Sequence, residues 1–210
     1  ICKTYPMIDT LEIISEECGG HSKAPDITRE NIVSFMAQAF GYDILNADNA
    51  DSIWERANAA IKAGGFTPQE LILKSNVSHL CTTDDPADSL EYHKLIAESD
   101  FKCKVLPAFR PDKALGIDLP AWKPWLSDME KTAGREIDGF AVLCEVLKER
   151  IEFFASMGCR ASDHAFSYVP YEEATAEELE EIFAKAKNGG KVSVVEADKF
   201  KTALLSVLAA

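Results

Sequence analysis

Three short polar runs carry the residues of this chain best suited to chemistry. They are Cys81-Thr82-Thr83-Asp84-Asp85-Pro86, Phe109-Arg110-Pro111-Asp112-Lys113 and Ala161-Ser162-Asp163-His164. In the first, Asp84 and Asp85 divide two roles: one caps the helix that follows, with Pro86 in its first turn. The other faces a pocket, as an acceptor for a polyol or as support for a neighbouring side chain. In the second, an arginine before proline is held extended, so Arg110 projects from its segment. Its planar guanidinium there suits bidentate capture of a carboxylate; a structural pair with Asp112 is the competing reading. In the third, neighbours in an extended segment point to opposite sides, so one of Asp163 and His164 faces the pocket. Asp163 is the candidate, because its small neighbours leave room for other groups, and His164 is read as a satisfied structural histidine.

These runs need elements to position them, and the pattern supplies them. Each run follows an apolar segment that reads as a strand, at 77–80, 103–108 and 157–160. Helices are expected between and around them at about 87–98, 119–133 and 138–157, then at 175–187 behind the capping box Thr175-Ala176-Glu177-Glu178, and at 195–209. Strands alternating with helices argue for parallel pairing with right-handed crossovers, and charged residues at strand ends are how a parallel α/β enzyme builds its active face. Before residue 76 no strand is expected. Helices are read at about 9–18, at 26–40 with the stripe Ile32, Phe35, Met36, Ala39 and Phe40, and at 50–63. A further start lies at Thr67-Pro68-Gln69-Glu70. The expected division is therefore a helical module over 1–75 and three β/α units over 76–210. Three strands cannot close a barrel and would leave bare edges, so the fold expected is part of a larger barrel, with both chain ends read as cut from something longer.

Composition narrows the partners. A net charge of -13 argues against a nucleic-acid phosphate backbone, although one arginine in a cleft can still hold a small anion. No apolar run approaches the roughly 20 residues needed to span a membrane. The six cysteines form no CxxC pair, and Cys81, Cys103 and Cys159 fall in apolar segments, which is expected of reduced thiols in a cytoplasmic protein. His21, His79, His93 and His164 show no metal-ligand spacing, and His93 is read on the solvent side of its helix.

Read together, the runs resemble the uronate (glucuronate) isomerase family. The resemblance rests on His79-Leu80-Cys81-Thr82-Thr83-Asp84-Asp85-Pro86-Ala87-Asp88-Ser89-Leu90-Glu91-Tyr92-His93, Val105-Leu106-Pro107-Ala108-Phe109-Arg110-Pro111-Asp112-Lys113-Ala114 and Gly158-Cys159-Arg160-Ala161-Ser162-Asp163-His164, in that order and spacing. It implies an amidohydrolase-like (β/α)8 barrel of TIM type, of which this chain holds strands 2–4 behind a helical insertion. It implies interconversion of D-glucuronate with D-fructuronate, and of D-galacturonate with D-tagaturonate, by proton transfer between C1 and C2 through an enediol. A divalent metal, commonly zinc, stands near the reacting oxygens. By position, Arg110 resembles the family's substrate-contacting arginine and Asp163 its catalytic fourth-strand aspartate, with Asp84 and Asp85 as further substrate-binding candidates. The family's metal ligands have no counterpart in this chain, so no metal is expected to be bound here and the isolated chain is expected to be inactive. A homo-oligomer stays open. Two other readings do too: a module that binds acidic sugars without turnover, and a related barrel hydrolase.

Overall fold

A computed structural model describes residues 50–64 and 67–210. The helices expected at 9–18 and 26–40 lie outside the described residues. The chain divides into two compact units, Ile1–Asn76 and Val77–Ala210.

In the first unit, α1 (Ala50–Ala63) ends on Gly64, whose φ of 80° is the left-handed turn that glycine adopts without a Cβ penalty. Of its expected apolar face, Ile53 is buried while Trp54 and Ile61 stay exposed. Helix α2 (Pro68–Lys74) begins with the expected reciprocal cap. The Glu70 amide donates to Thr67 Oγ1 at 3.2 Å, and the Thr67 amide donates to Glu70 Oε2 at 2.9 Å.

The second unit opens with β1 (His79–Cys81), which pairs in parallel with β2 (Lys104–Leu106) in the register His79↔Lys104, Leu80↔Val105, Cys81↔Leu106. Beyond the strands the pairing continues residue by residue. The Thr82 amide donates to Leu106 O, the Asp84 amide to Ala108 O and the Arg110 amide to Asp84 O, each at 3.0 Å. The third expected strand is corrected to a single parallel bridge, Phe109↔Ser162. The reason is where the preceding helix lets go: residues 157–160 are its exit, with Gly158 at φ 95°, and the chain becomes extended only at Ala161, whose carbonyl accepts from the Phe109 amide at 3.0 Å. All three runs nevertheless end side by side.

Helix α3 (Glu91–Glu98) starts later than the expected 87. The 85–90 segment spends its hydrogen bonds locally: the Ala87 amide donates to Asp85 Oδ1 at 2.9 Å and the Leu90 amide to Asp88 Oδ1 at 2.7 Å. Side chains that bond their own backbone in this way compete with helix. Leu90, fully buried, takes a left-handed φ of 55° as the chain turns into α3. Arg150 fixes the loop from outside, donating to Pro86 O and Asp88 O at 2.7 Å while stacking over Phe153.

The remaining helices are α4 (Asp112–Leu115), α5 (Trp122–Ala133), α6 (Phe140–Ser156), α7 (Ala176–Lys187) and α8 (Val194–Leu208). Their apolar faces meet in one core around Met129, Leu143, Leu147, Phe154, Phe183 and Phe200, all of them sealed from solvent. Edge-on ring pairs tie it together, Trp122 on Phe183 at 5.4 Å and Phe140 on Phe200 at 5.3 Å. Burying one such side chain is worth about 2–3 kcal/mol. Phe109 joins this core, its ring 5.2 Å from Phe154, and so anchors the residue that precedes Arg110. Helix α6 has no side-chain cap of its own. Glu180 of α7 supplies one, accepting from the Phe140 amide at 2.8 Å and the Ala141 amide at 3.0 Å. Gly139 permits this, because a Cβ there would lie 2.5 Å from Glu180 Oε2.

Candidate active site

Arg110, Asp163 and His164 come together where the second and third runs end, and the hub between them is Asp112. The Arg110 Nε donates to Asp112 Oδ2 at 2.6 Å, and Asp112 also accepts from the Ala165 amide at 3.1 Å. The structural pair weighed against substrate binding is therefore real, but it occupies only one edge of the guanidinium. On the other side Nη1 lies 3.8 Å from Asp163 Oδ2, an ion pair too long to be a hydrogen bond. The bond to Asp112 raises the Arg110 pKa further, against the opposing effect of burial, so its charge is permanent. Arg110 is about one third exposed and Asp163 about half, so both are open to a ligand.

Asp163 and His164 both face this cluster, which corrects the expectation that only one of them would. His164 Nδ1 lies 3.7 Å from Asp112 Oδ1, and the imidazole stacks on Phe166 with centroids 5.1 Å apart. The reading of a satisfied histidine is corrected: Nδ1 is buried without a hydrogen-bond partner.

The two aspartates of the first run have different surroundings. Asp85 accepts from the Ala87 amide and from Trp125 Nε1, both at 2.9 Å, and its Oδ2 lies 3.4 Å from Lys113 Nζ. The cap it provides is for a turn, not for α3. Asp84 is buried and accepts from the Thr82 hydroxyl at 2.6 Å and the Ala108 amide at 3.2 Å, both at Oδ2. His93, expected to face solvent, turns inward, with Nε2 2.7 Å from Thr82 Oγ1 and 3.7 Å from Asp84 Oδ2. The signal for it was its spacing of three from Ile96, the other half-buried position of α3.

Two hollows flank the cluster. One, about 440 Å³, is lined by Phe109, Phe154, Ser162, His164 and Leu205; the other, about 470 Å³, by Asp112, Asp118, Phe166, Tyr168 and Lys201. Arg110 and Asp163 line neither. They stand at the open ends of the paired segments, where the Arg110 amide is still bonded to the backbone of Asp84. Among the described residues no group of three or more His, Cys, Asp or Glu could hold a metal ion.

A family model described as glucuronate isomerase matches residues 36–210. The chain belongs to the glucuronate isomerase family. It is 51% identical over 175 residues to the uronate isomerase of Clostridium acetobutylicum, covering 82% of this chain and 37% of that protein. It is 45% identical over 172 residues to the uronate isomerase of Lachnospira eligens, covering 81% and 37% respectively. The fold is similar to the crystal structure of the uronate isomerase of Thermotoga maritima, with a TM-score of 0.77, 27% identity and 83% of this chain matched to 38% of that one. The glucuronate isomerase of Caulobacter crescentus gives 0.75 at 27% identity, over 83% and 36%. The chain thus spans little more than a third of the length of the curated relatives it matches. Among the described residues no helix is long and apolar enough to cross a membrane.

Proposed function

We propose that this chain supplies the substrate-binding side of a uronate isomerase that interconverts D-glucuronate with D-fructuronate and D-galacturonate with D-tagaturonate. In this reading its parallel strands are strands 2–4 of a (β/α)8 barrel of the amidohydrolase type, and residues 1–75 are an insertion ahead of them. The observation that carries the proposal is Arg110, held at Nε by Asp112 at 2.6 Å with its Nη side turned to Asp163. A guanidinium fixed along one edge presents the other as a preformed fork for a carboxylate.

The reaction is a proton relocation without net oxidation. The aldose loses the C2 proton and gains one on O1 to give an enediol; the enediol then loses the O2 proton and gains one at C1. Arg110 holds the substrate. Asp163, half exposed and only loosely held by Arg110, turns toward C1 and C2 and carries the proton between them. Asp84 and Asp85 are proposed to accept sugar hydroxyls, Asp84 through the oxygen that its protein donors leave over. The metal that the family resemblance implies, a divalent ion and commonly zinc, finds no ligand set among the described residues. Its ligands are proposed to lie elsewhere. The 210 residues alone are therefore proposed to bind uronates without isomerising them.

Titration calorimetry tests the binding half of this reading. D-Glucuronate should bind the chain and D-glucose should not, and Arg110→Met should abolish the difference. Equal heats for the charged and the neutral sugar would remove Arg110 from the substrate site.

A further inference from the structure

The first run leaves a hydrogen-bond chain that the proposed reaction has not used. Thr82 Oγ1 sits between Asp84 Oδ2 at 2.6 Å and His93 Nε2 at 2.7 Å, and a hydroxyl has one hydrogen to give. Asp84 Oδ2 at 2.6 Å is a nearer acceptor for it than Leu106 O at 3.4 Å, so the Thr82 hydrogen goes to Asp84. His93 must then donate from Nε2 to the Thr82 oxygen. The geometry favours one order of protons: His93 Nε2–H to Thr82 Oγ1–H to Asp84 Oδ2.

Asp84 is also tied to the strand end that bears Arg110. Its Oδ2 accepts from the Ala108 amide, its own amide donates to Ala108 O, and its carbonyl accepts from the Arg110 amide. Its side-chain hydrogen bonds all fall on Oδ2, and Oδ1 accepts none from the described residues. A buried carboxylate held at a strand end by one oxygen leaves the other for a further donor. His93 comes from α3, eleven residues further along the chain than Thr82, and its side chain is 11% exposed. Its ring is within reach of the carboxylate itself, at 3.7 Å.

We propose that His93 is a positioning residue: acting through the Thr82 hydroxyl, it turns Asp84 so that Oδ1 accepts a hydroxyl of the uronate whose carboxylate Arg110 holds. This rests on the uronate reading above. His93 touches neither substrate nor reacting atoms; it sets the direction of a group that does. The two links act in series, so breaking either one loosens Asp84, which keeps the Ala108 amide on Oδ2.

The experiment uses the chain encoded by the complete reading frame that contains these residues, assayed on D-glucuronate. His93→Leu and Thr82→Val should each raise KM roughly tenfold with kcat within about twofold, as expected for a lost hydrogen bond to a charged group. The double variant should be no worse than either single one, and His93→Gln, which restores an N–H donor, should return KM toward wild type. A merely structural His93 would lower Tm and leave the KM of the folded enzyme unchanged. That result, or additive effects in the double variant, overturns the proposal. If the wild-type chain does not isomerise glucuronate at all, the uronate reading fails and the positioning role falls with it. The proton order is judged separately, by long-range ¹H–¹⁵N correlation on the 210-residue chain: a hydrogen on His93 Nε2 supports it, and a neutral ring carrying its hydrogen on Nδ1 refutes it.

Discussion

Replacing Asp163 by asparagine should tighten uronate binding while stopping the reaction. Asp163 Oδ2 lies 3.8 Å from Arg110 Nη1, so a substrate carboxylate seated on that guanidinium arrives beside a second negative charge. Two unit charges about 4 Å apart interact by about 1 kcal/mol in water and about 4 kcal/mol near a protein surface. Asp163 is 49% exposed, which places the repulsion at the lower end. Removing it, and the competition for Nη1, should strengthen D-glucuronate binding by about 1 kcal/mol, or about fivefold. The same change removes the carboxylate proposed to carry the proton, and loss of a general base costs roughly 10²- to 10⁴-fold in rate. Calorimetry on the 210-residue chain reads the first effect, and kcat of the complete chain reads the second. A fall in both KM and kcat is the expected signature. Weaker binding by Asp163→Asn would show that Asp163 is a substrate ligand and not a neighbour that competes for Arg110. An unchanged kcat would remove it from the proton transfer.

Other consequences concern the scaffold. Gly139→Ala should destabilise the chain by about 1 kcal/mol, read by urea unfolding, because its methyl group displaces the Glu180 carboxylate that caps α6. Glu196 is held down to about 2 by the bond from Lys185, and then by the Ser193 amide and hydroxyl. A carboxylate whose folded pKa is depressed contributes stability above its ordinary value of 4.5, and that contribution is lost as pH falls toward 2. Glu196→Gln should therefore flatten the fall of Tm over that interval. Burial pushes the Cys144 thiol up to about 11, so peptide mapping after alkylation at pH 8 should leave Cys144 unmodified while exposed Cys81 is labelled.

What could be read from the sequence was what depends on near neighbours. The reciprocal caps Thr67/Glu70 and Thr175/Glu178 are four-residue patterns, and both formed as expected. The arginine–proline step placed Arg110 at a segment end, and the three runs did converge. Apart from the late start of α3, which the local bonds of Asp85 and Asp88 set, the misses involve partners far along the chain. The strand expected at 157–160 failed because extension there waits for Phe109, some fifty residues earlier, to offer its amide and carbonyl. The cap of α6 comes from Glu180, forty residues away, and nothing near Gly139 announces it. His93 was assigned to solvent because its own helix is polar around it, whereas its burial is set by Thr82 and Asp84 at the end of β1. His164 was read as satisfied because the pattern could not show that Asp112 would be committed to Arg110 and Ala165 instead.

The central claim is that these strand ends serve uronate isomerisation, with Arg110 holding the substrate carboxylate. The most direct measurement is the proton spectrum of D-glucuronate in the presence of divalent metal and the complete chain, wild type against Arg110→Met. D-Fructuronate signals should grow with the wild type, and KM should rise at least tenfold in the variant. No conversion by the wild type, or wild-type kinetics in Arg110→Met, would contradict it.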